Sequence, residues 1–524
     1  MLPNEKRTVG NWGKYHEKRK SRGCYSGELG VFQFFLNGSS ALFFQIQTLG
    51  CKVNQYESEQ VRQALLAAGW QVWNTRNEQT VGPEVAEDAP ESESETPEPL
   101  DVLLVNSCAV TSESEAKSRK MVRQLIKRWK PRRCVVFGCS ATNGAEQFEA
   151  IPGVTDVVTG RETGGNRVAA VLLKLGVEPG SFLPVLEQGL YQFGSRHRAY
   201  LKVQDGCKQF CTYCLIPYLR NELSSVPLDE VQEEAAELIV HGYKELVITG
   251  IHLGFYGLNL RSRATCVWEK TAVDLQCGTA QTQDASRFEG KITLATLMER
   301  LARLATQSTQ DGSPVRLRIS SIEAHEATDD LLAVMAANRQ VICPHLHLSM
   351  QSGSPTVMRR MNRPGTLEQY IERCVNARKW LDEPALTTDC IVGFPGETEQ
   401  EFLETCETVR RIGFSKIHIF PYSPRKGTPA ATMPNQIPAV EKQRRAAFLA
   451  EIEKELHQEF LQRLSNHPQQ FLLETFSAEN QMVVGTSEYY IHATFPGKAE
   501  EVGTFRVEKM RVSTTGSECE LPRG

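Results

Sequence analysis

Cys207, Cys211 and Cys214 stand in the run CKQFCTYC, three thiols at C-x3-C-x2-C spacing directly after the strand-like LKVQDG. A 4Fe-4S cube takes one thiolate per iron, so three thiolates from one compact loop leave one iron open to another ligand. A ferredoxin would want a fourth cysteine close by, and none follows. Tetrahedral zinc is the structural rival, but this spacing without a nearby fourth ligand makes a poor structural zinc site. The spacing therefore favours an iron–sulfur cluster. Three more thiols lie far apart in the chain, yet each ends a strand-like run: Cys51 after FFQIQTLG (43–50), Cys108 after LDVLLVNS (100–107), and Cys139 closing CVVFGC (134–139). Carboxyl ends of parallel strands share one edge of a sheet, and ligands bind outside that edge. A lone free cysteine is usually a small buried hydrophobe, which is how Cys134, at a strand start, is read. Three in the same topological position point to convergence.

These thiols need a scaffold, and the chain's rhythm describes one. A helix from about Glu57 to Ala68 is closed by Gly69, a good C-cap residue. A second helix is expected over about 113–130. Strand–helix–strand alternation of this kind argues for a parallel sheet with crossover helices. From near Arg198, strand-like runs at 200–204, 245–250, 315–320, 345–350, 387–393 and 416–421 alternate with helical stretches at about 228–241, 293–305, 366–381 and 398–411. That is a β/α series, a full or partial parallel barrel. After a helix of about 440–465, the runs FLLETF, MVVGT, YYIHATF and TFRVEKMRV read as short strands of a small β-barrel. The expected class is α/β, with an N-terminal parallel-sheet domain (45–175), a barrel core (193–445) and a C-terminal β-barrel (466–524). Residues 83–99 hold seven Asp/Glu, four Pro and no Lys/Arg, which reads as a solvated loop insertion. Residues 258–290 read as a second surface insertion, with Cys266 and Cys277 incidental to it.

The 524 residues suggest about three domains by ordinary domain length. A hydrophobic share of 40% excludes wholesale disorder, and 15 cysteines, dilute, odd in number and partly clustered, favour cluster ligation in a reducing compartment over disulfides. No uninterrupted apolar stretch is long enough to span a bilayer. Residues 1–22 carry seven Lys/Arg, and the apolar run that follows is broken by Asn37, Gly38, Ser39 and Ser40. Residues 1–44 are therefore expected to be a disordered basic extension, or to follow a start codon called too early, rather than a secretory leader.

The net charge of −4 disguises a local excess: residues 117–133 contain nine Lys/Arg and no acid. Patches of this kind neutralise phosphates, so the helix is a candidate RNA contact, with Arg359, Arg360 and Arg363 a smaller second group. The bland alternative is a solvated helix face. GFPGE (393–397) follows a strand with two glycines, Gly393 and Gly396, that let backbone approach a ligand closely, or that simply make a turn. Gln351, Ser352 and Ser354 are hydrogen-bonders at a strand end. His252, His325, His345 and His347 are each read as strand residues hydrogen-bonded within the barrel.

With these residues in place, the sequence resembles the radical S-adenosylmethionine enzymes, and within them the methylthiotransferases, over roughly residues 45–510. TLGCKVNQYE (48–57), NSCAVT (106–111), FGCSAT (137–142), CTYCLIPYLR (211–220), TGIHLGFYG (249–257), RLRISSIEAHE (316–326), HLHLSMQSGS (345–354), DCIVGFPGET (389–398) and FPYSPRKGTPA (420–430) match in order. TLGCKVNQYE with TGIHLG is most similar to the branch that methylthiolates N6-threonylcarbamoyladenosine beside the tRNA anticodon. The resemblance implies two 4Fe-4S clusters. One, on Cys207, Cys211 and Cys214, binds S-adenosylmethionine at its open iron and yields a radical that takes hydrogen from adenine C2. The other, on Cys51, Cys108 and Cys139, carries the sulfur. It further implies cofactor contacts at Gly393, Gly396 and Gln351, and an RNA-binding TRAM-like C-terminal domain in which Tyr489 and Tyr490 either stack on bases or serve as core. A tRNA substrate, a flavodoxin- or ferredoxin-type reductant, a sulfur source, a cytoplasmic location, no membrane and a monomeric state complete the expectation. Alternatives from the same chemistry are N6-isopentenyladenosine in tRNA or a ribosomal-protein aspartate. One from another class is a non-catalytic iron–sulfur sensor that binds RNA. The chain departs from the family's pattern in NELSS (221–225), in Ser349 where proline is usual, and in a longer gap between Cys51 and Cys108 that the acidic stretch mostly explains.

Overall fold

Val102–Ser107 is buried at every position, as a central strand covered on both faces must be. It lies in a five-stranded parallel sheet, ordered Gln71–Val72, Phe43–Thr48, Val102–Ser107, Arg133–Gly138, Asp156–Val157. The computed structural model describes residues 42–73, 99–160, 166–194, 197–260, 292–310, 312–465, 467–509, 511–512 and 519–520. Nearly all of the basic extension, the acidic stretch and the 258–290 insertion, with Cys266 and Cys277, therefore lie outside the described residues. Alternate residues of one strand feed two layers. Val102 and Leu104 pack with Val61, Leu65 and Val171 on one face, and Leu103 and Val105 pack with Val122 and Phe148 on the other.

The first helix runs over Lys52–Ala67, five residues earlier than the expected start at Glu57. Its opening turn is polar, so periodicity does not announce it. Burial of Val53, Asn54, Tyr56 and Glu57 against the rest of the protein decides the matter, and the early start makes Cys51 the N-cap. The basic helix, Ser112–Trp129, begins with a capping box between Thr111 and Ser114.

The six strand-like runs of the second unit all form strands. Arg198–Asp205, Glu245–Gly250 and Arg316–Ile319 pair in parallel. Ser321–Ile322, His345–Leu348, Ala385–Val392 and Lys416–Pro421 do the same. A parallel bridge between Leu317 and Ile342 joins the two sets into one open barrel wall. Lys416, His418 and Phe420 are exposed along the last strand, on the barrel's open side.

The helix Ala439–Arg463 leads to an antiparallel sheet ordered His492–Pro496, Met482–Ser487, Pro468–Ser477, Phe505–Lys509, a half-barrel among the described residues. Its docking onto the barrel floor is charged. Arg316 donates to the Gln470 and Thr486 carbonyls at 2.7 and 2.8 Å, and Arg318 donates to the Glu488 and Ser487 carbonyls, both at 2.9 Å. Both arginines hold the fully buried Glu245. Burial raises that carboxyl, but Arg318, Arg316 and Arg198 outweigh it and hold it well below the usual range. No described helix is long and apolar enough to cross a membrane.

Candidate cluster sites

Strand Arg198–Asp205 delivers the chain into the loop of Cys207, Cys211 and Cys214 through Gly206. Gly206 has φ +83°, and a Cβ there would lie 1.9 Å from the Glu222 carbonyl, so only glycine fits. Backbone bonds then pin the loop: Cys207 N to Arg220 O (3.1 Å), Thr212 N to Met361 O (3.0 Å) and Ala430 N to Thr212 O (2.9 Å). All three thiols are free, with Cys207 and Cys211 buried. Burial, then the neighbouring Cys211 and Cys207, push the Cys214 thiol up to about 12. At neutral pH it keeps its proton until a metal displaces it.

Two charged partners reach this loop. Arg363 holds Glu323 in a bidentate pair, donates to the Ser349 carbonyl at 2.6 Å, and points Nη1 at Cys211 Sγ, 3.6 Å away. His252 Nδ1 lies 3.3 Å from Cys207 Sγ, and its Nε2 lies 2.5 Å from Glu326 Oε1. Burial opposes a charged imidazole, but the Cys207 and Glu326 partners outweigh it and raise His252 to about 10. His252 is thus a loop residue beside a thiol, not a strand residue satisfied within the barrel. The expected basic trio 359–363 is corrected as well. Arg360 is paired with Glu401 at 2.8 Å and Arg363 is buried at the thiol loop, which leaves Arg359 as the outward member.

At the other site the sheet edge does what its topology allows. Cys51 follows Phe43–Thr48 by three residues, and Cys108 and Cys139 follow their strands directly. A Cβ on Gly50, at φ +128°, would lie 3.1 Å from Cys108 Cβ, and Cys139 is an electrostatic neighbour of both Cys51 and Cys108. Asn54 ties the edge together: its Nδ2 donates to Asn106 Oδ1 and to the Ser107 carbonyl, both at 3.1 Å, and its Oδ1 accepts from Cys51 Sγ at 3.4 Å. Cys134 is a fully buried core residue, as expected of a bystander.

The two thiol sets are latched to each other. Arg220 and Glu57, 4% and 3% exposed, form a bidentate pair at 2.8 and 2.9 Å, and Arg220 also holds Asp205 at 2.8 Å. Glu57 is on the helix that Cys51 caps, and Arg220 closes the loop of Cys207–Cys214. Tyr56 donates to Glu234 at 2.9 Å beside them, and Arg425 donates to the Ala109 carbonyl, next to Cys108, at 2.7 Å. Sequence reasoning missed this latch. The available signal was a run of polar residues, Asn54 to Glu57, whose spacing fits no solvated face once the helix begins at Lys52.

The remaining site candidates divide. Gly393 (φ +71°) turns against Lys442, whose Cγ a Cβ there would meet at 2.4 Å, whereas a Cβ on Gly396 (φ +72°) would meet only Arg360 Nη1, at 4.0 Å. Gln351, also in the left-handed region, bridges to Cys390. Ser352 and Ser354 are fully buried, bonded to Thr405 and Glu404. On the basic helix, Lys117 pairs with Glu113, and beyond it Arg132 pairs with Asp101 and Arg133 with Asp156. Lys120, Arg123 and Lys127 are exposed. Tyr490, at φ +66°, lays its ring under Arg318, and Tyr489 packs edge-on to Phe460. Both rings are therefore engaged by protein groups.

Three free thiols in each group fit a cube with one open iron. Among the described residues no three His, Cys, Asp or Glu side chains gather as around a single ion, and a cube instead spaces its thiolates one per iron.

Comparison with known proteins follows the same division. The model of the radical SAM superfamily matches residues 201–409, and that of the uncharacterized protein family UPF0004 matches residues 84–160. A threonylcarbamoyladenosine tRNA methylthiotransferase, MtaB, of Bacillus subtilis is 33% identical over 90% of this chain and 93% of its own length. The protein of that name from Thermotoga maritima is 32% identical over 89% of this chain and 94% of its own. A tRNA-2-methylthio-N(6)-dimethylallyladenosine synthase of Thermotoga petrophila is 28% identical over 90% and 95%.

Proposed function

The chain belongs to the radical SAM tRNA methylthiotransferases, and from that premise we propose that it adds a methylthio group to C2 of N6-threonylcarbamoyladenosine beside the tRNA anticodon. It is a transferase that uses S-adenosylmethionine and two 4Fe-4S clusters. Bound, these groups supply a hydrogen-abstracting radical, the sulfur and the methyl group. Cys207, Cys211 and Cys214 hold the cluster that binds S-adenosylmethionine, and Cys51, Cys108 and Cys139 hold the other. Gly396, Gly393 and Gln351 line the cofactor's approach.

The chain's own residues position and insulate. Arg363 and His252 direct N–H groups toward the thiol loop, where such donors stabilise thiolate charge. The Arg220–Glu57 latch keeps the two thiol groups in register, so that one base meets both. Lys120, Arg123 and Lys127 present positive charge to the phosphates. The reductant is of flavodoxin or ferredoxin type, a separate sulfur source restores the donor, and the enzyme works as a cytoplasmic monomer.

One observation carries this reading: two sets of three thiols, joined by a buried ion pair whose members flank Cys51 and Cys214. Nucleosides from the tRNA of deletion and parent cells test it. The expected result is loss of 2-methylthio-N6-threonylcarbamoyladenosine with its unthiolated precursor accumulating. Loss of the isopentenyl counterpart instead, or unchanged nucleosides, would overturn it. A non-catalytic sensor predicts no 5′-deoxyadenosine from the reduced protein.

A further inference from the structure

The barrel holds a partly open cavity of about 570 Å³ whose lining, apolar over much of its area, also carries an excess of positive charge. Lys52, Arg198, Arg318 and Lys416 line it against the single carboxylate of Asp389. Most of those charges already have partners. Arg318 is held by Glu245 and two carbonyls, Arg198 by Glu474 at 2.8 Å, Lys416 by Glu453 at 2.9 Å, and Asp389 lies 3.3 Å from His347. Lys52 is different. It enters the cavity from the N-terminal domain, faces the positive charges of Arg318 and Arg198, which outweigh the more distant pull of Glu245, and makes no ion pair among the described residues.

A second observation points to a polar occupant. His345, 6% exposed, also lines the cavity; its Nε2 lies 3.3 Å from Thr387 Oγ1, and its Nδ1 has no hydrogen-bond partner. Buried polar atoms without partners are costly, so such an atom facing a cavity marks a place for a ligand group or ordered water. Tyr490 closes the floor, its ring 4.9 Å below the Arg318 guanidinium and 5.2 Å from the His345 ring.

We propose that the barrel lumen recognises the carboxylate of the substrate's N6 substituent, with Lys52 as its charge partner and His345 as a hydrogen-bonding neighbour. The inference rests on the nucleoside reading above and deepens it. Threonylcarbamoyl carries a carboxylate, a hydroxyl and amide groups, whereas an isopentenyl group carries none of them. An apolar tail would leave Lys52 and His345 Nδ1 facing hydrocarbon without partners, which disfavours it. Lys52 also follows Cys51 directly in the chain. Since C2 and C6, the carbon that bears the substituted amine, flank the same ring nitrogen, anchoring the substituent there sets the base in a fixed relation to the thiol group that carries sulfur.

The test uses the anaerobically reconstituted full-length enzyme with anticodon stem-loop RNA. One oligonucleotide carries N6-threonylcarbamoyladenosine, and a second carries the same nucleoside with its carboxylate as the methyl ester. The wild-type enzyme is expected to show a KM about tenfold or more higher for the ester, with the loss carried by KM rather than kcat. Lys52→Met, with its iron content checked, is expected to raise KM for the acid by about the same factor without a further rise for the ester, and Lys52→Arg to restore part of the preference. Equal KM values for acid and ester in the wild-type enzyme would overturn the proposal alone, and that arm needs no variant. Turnover of an isopentenyladenosine oligonucleotide but of neither threonylcarbamoyl one would overturn the nucleoside reading, and this proposal with it.

Discussion

Cys207, Cys211 and Cys214 come from eight consecutive residues, whereas Cys51, Cys108 and Cys139 are brought together from three strands. The first set lies in one loop that turns tightly at Gly206 and is pinned by backbone bonds to Arg220, Met361 and Ala430. The second needs a sheet whose parallel order places three strand ends on one edge, and Asn54 to brace that edge. A local site tolerates change elsewhere, but an assembled site inherits every weakness of its scaffold. The Arg220–Glu57 pair joins the two, so damage to it should be felt by both.

The sharpest way to separate the two sets is to remove one thiol from each. Cys211→Ala is expected to abolish 5′-deoxyadenosine formation and to reduce iron from about eight to about four per chain. Cys108→Ala should show the same iron loss but retain cleavage of S-adenosylmethionine without methylthiolation. If both variants lost both clusters, the sites would be one structural unit rather than two. Iron and sulfide analysis with product chromatography decides it.

Arg220→Met should break the latch. It leaves Glu57 buried without its main partner and half-buried Asp205 with Lys202 alone, at a cost of about 3–5 kcal/mol, read as a lower apparent Tm. The latch also has a pH signature. Burial raises both carboxyls, but Arg220 and Lys202 outweigh it and hold Glu57 and Asp205 below their ordinary values. Depressed folded-state values mean that this stabilisation is complete at neutral pH, and that it declines as pH falls through the ordinary carboxylate range near about 4 and below. The wild-type Tm should therefore fall more steeply on acidification than that of Arg220→Met. Parallel curves would remove the latch from the account.

The smallest effect is expected outside both sites. Lys120→Glu with Lys127→Glu should weaken tRNA binding several-fold at about 100 mM salt and flatten its salt dependence, with stability changed by less than about 0.5 kcal/mol. Unchanged binding would assign that helix face to solvent.

How much of this was legible before folding follows the same contrast. The three-thiol loop is a local pattern, readable from spacing and the absence of a fourth cysteine. The alternation of strands and helices is local as well, and the six barrel runs emerge within a few residues of their observed bounds. The half-barrel at the end is legible as short strands, though not as a sheet docked by Arg316 and Arg318. The start of the first helix at Lys52 is not legible, because its first turn is polar and becomes favourable only against the rest of the protein. Neither is the contact of His252 with Cys207 or that of Arg363 with Cys211, since each joins residues separated by 45 and 152 positions.

Residue type and short-range spacing thus determined the chemistry this chain can host, because a thiol's reactivity and a strand's periodicity reside in the local chain. Which distant groups meet was left to the tertiary structure: the convergence of Cys51 with Cys108 and Cys139, the burial of Arg220 against Glu57, and the placing of Lys52 beside Arg318 and Arg198 at the barrel wall. Such contacts arise when separate elements bury their faces together, and the charges so enclosed exchange water for whichever partner the fold brings near.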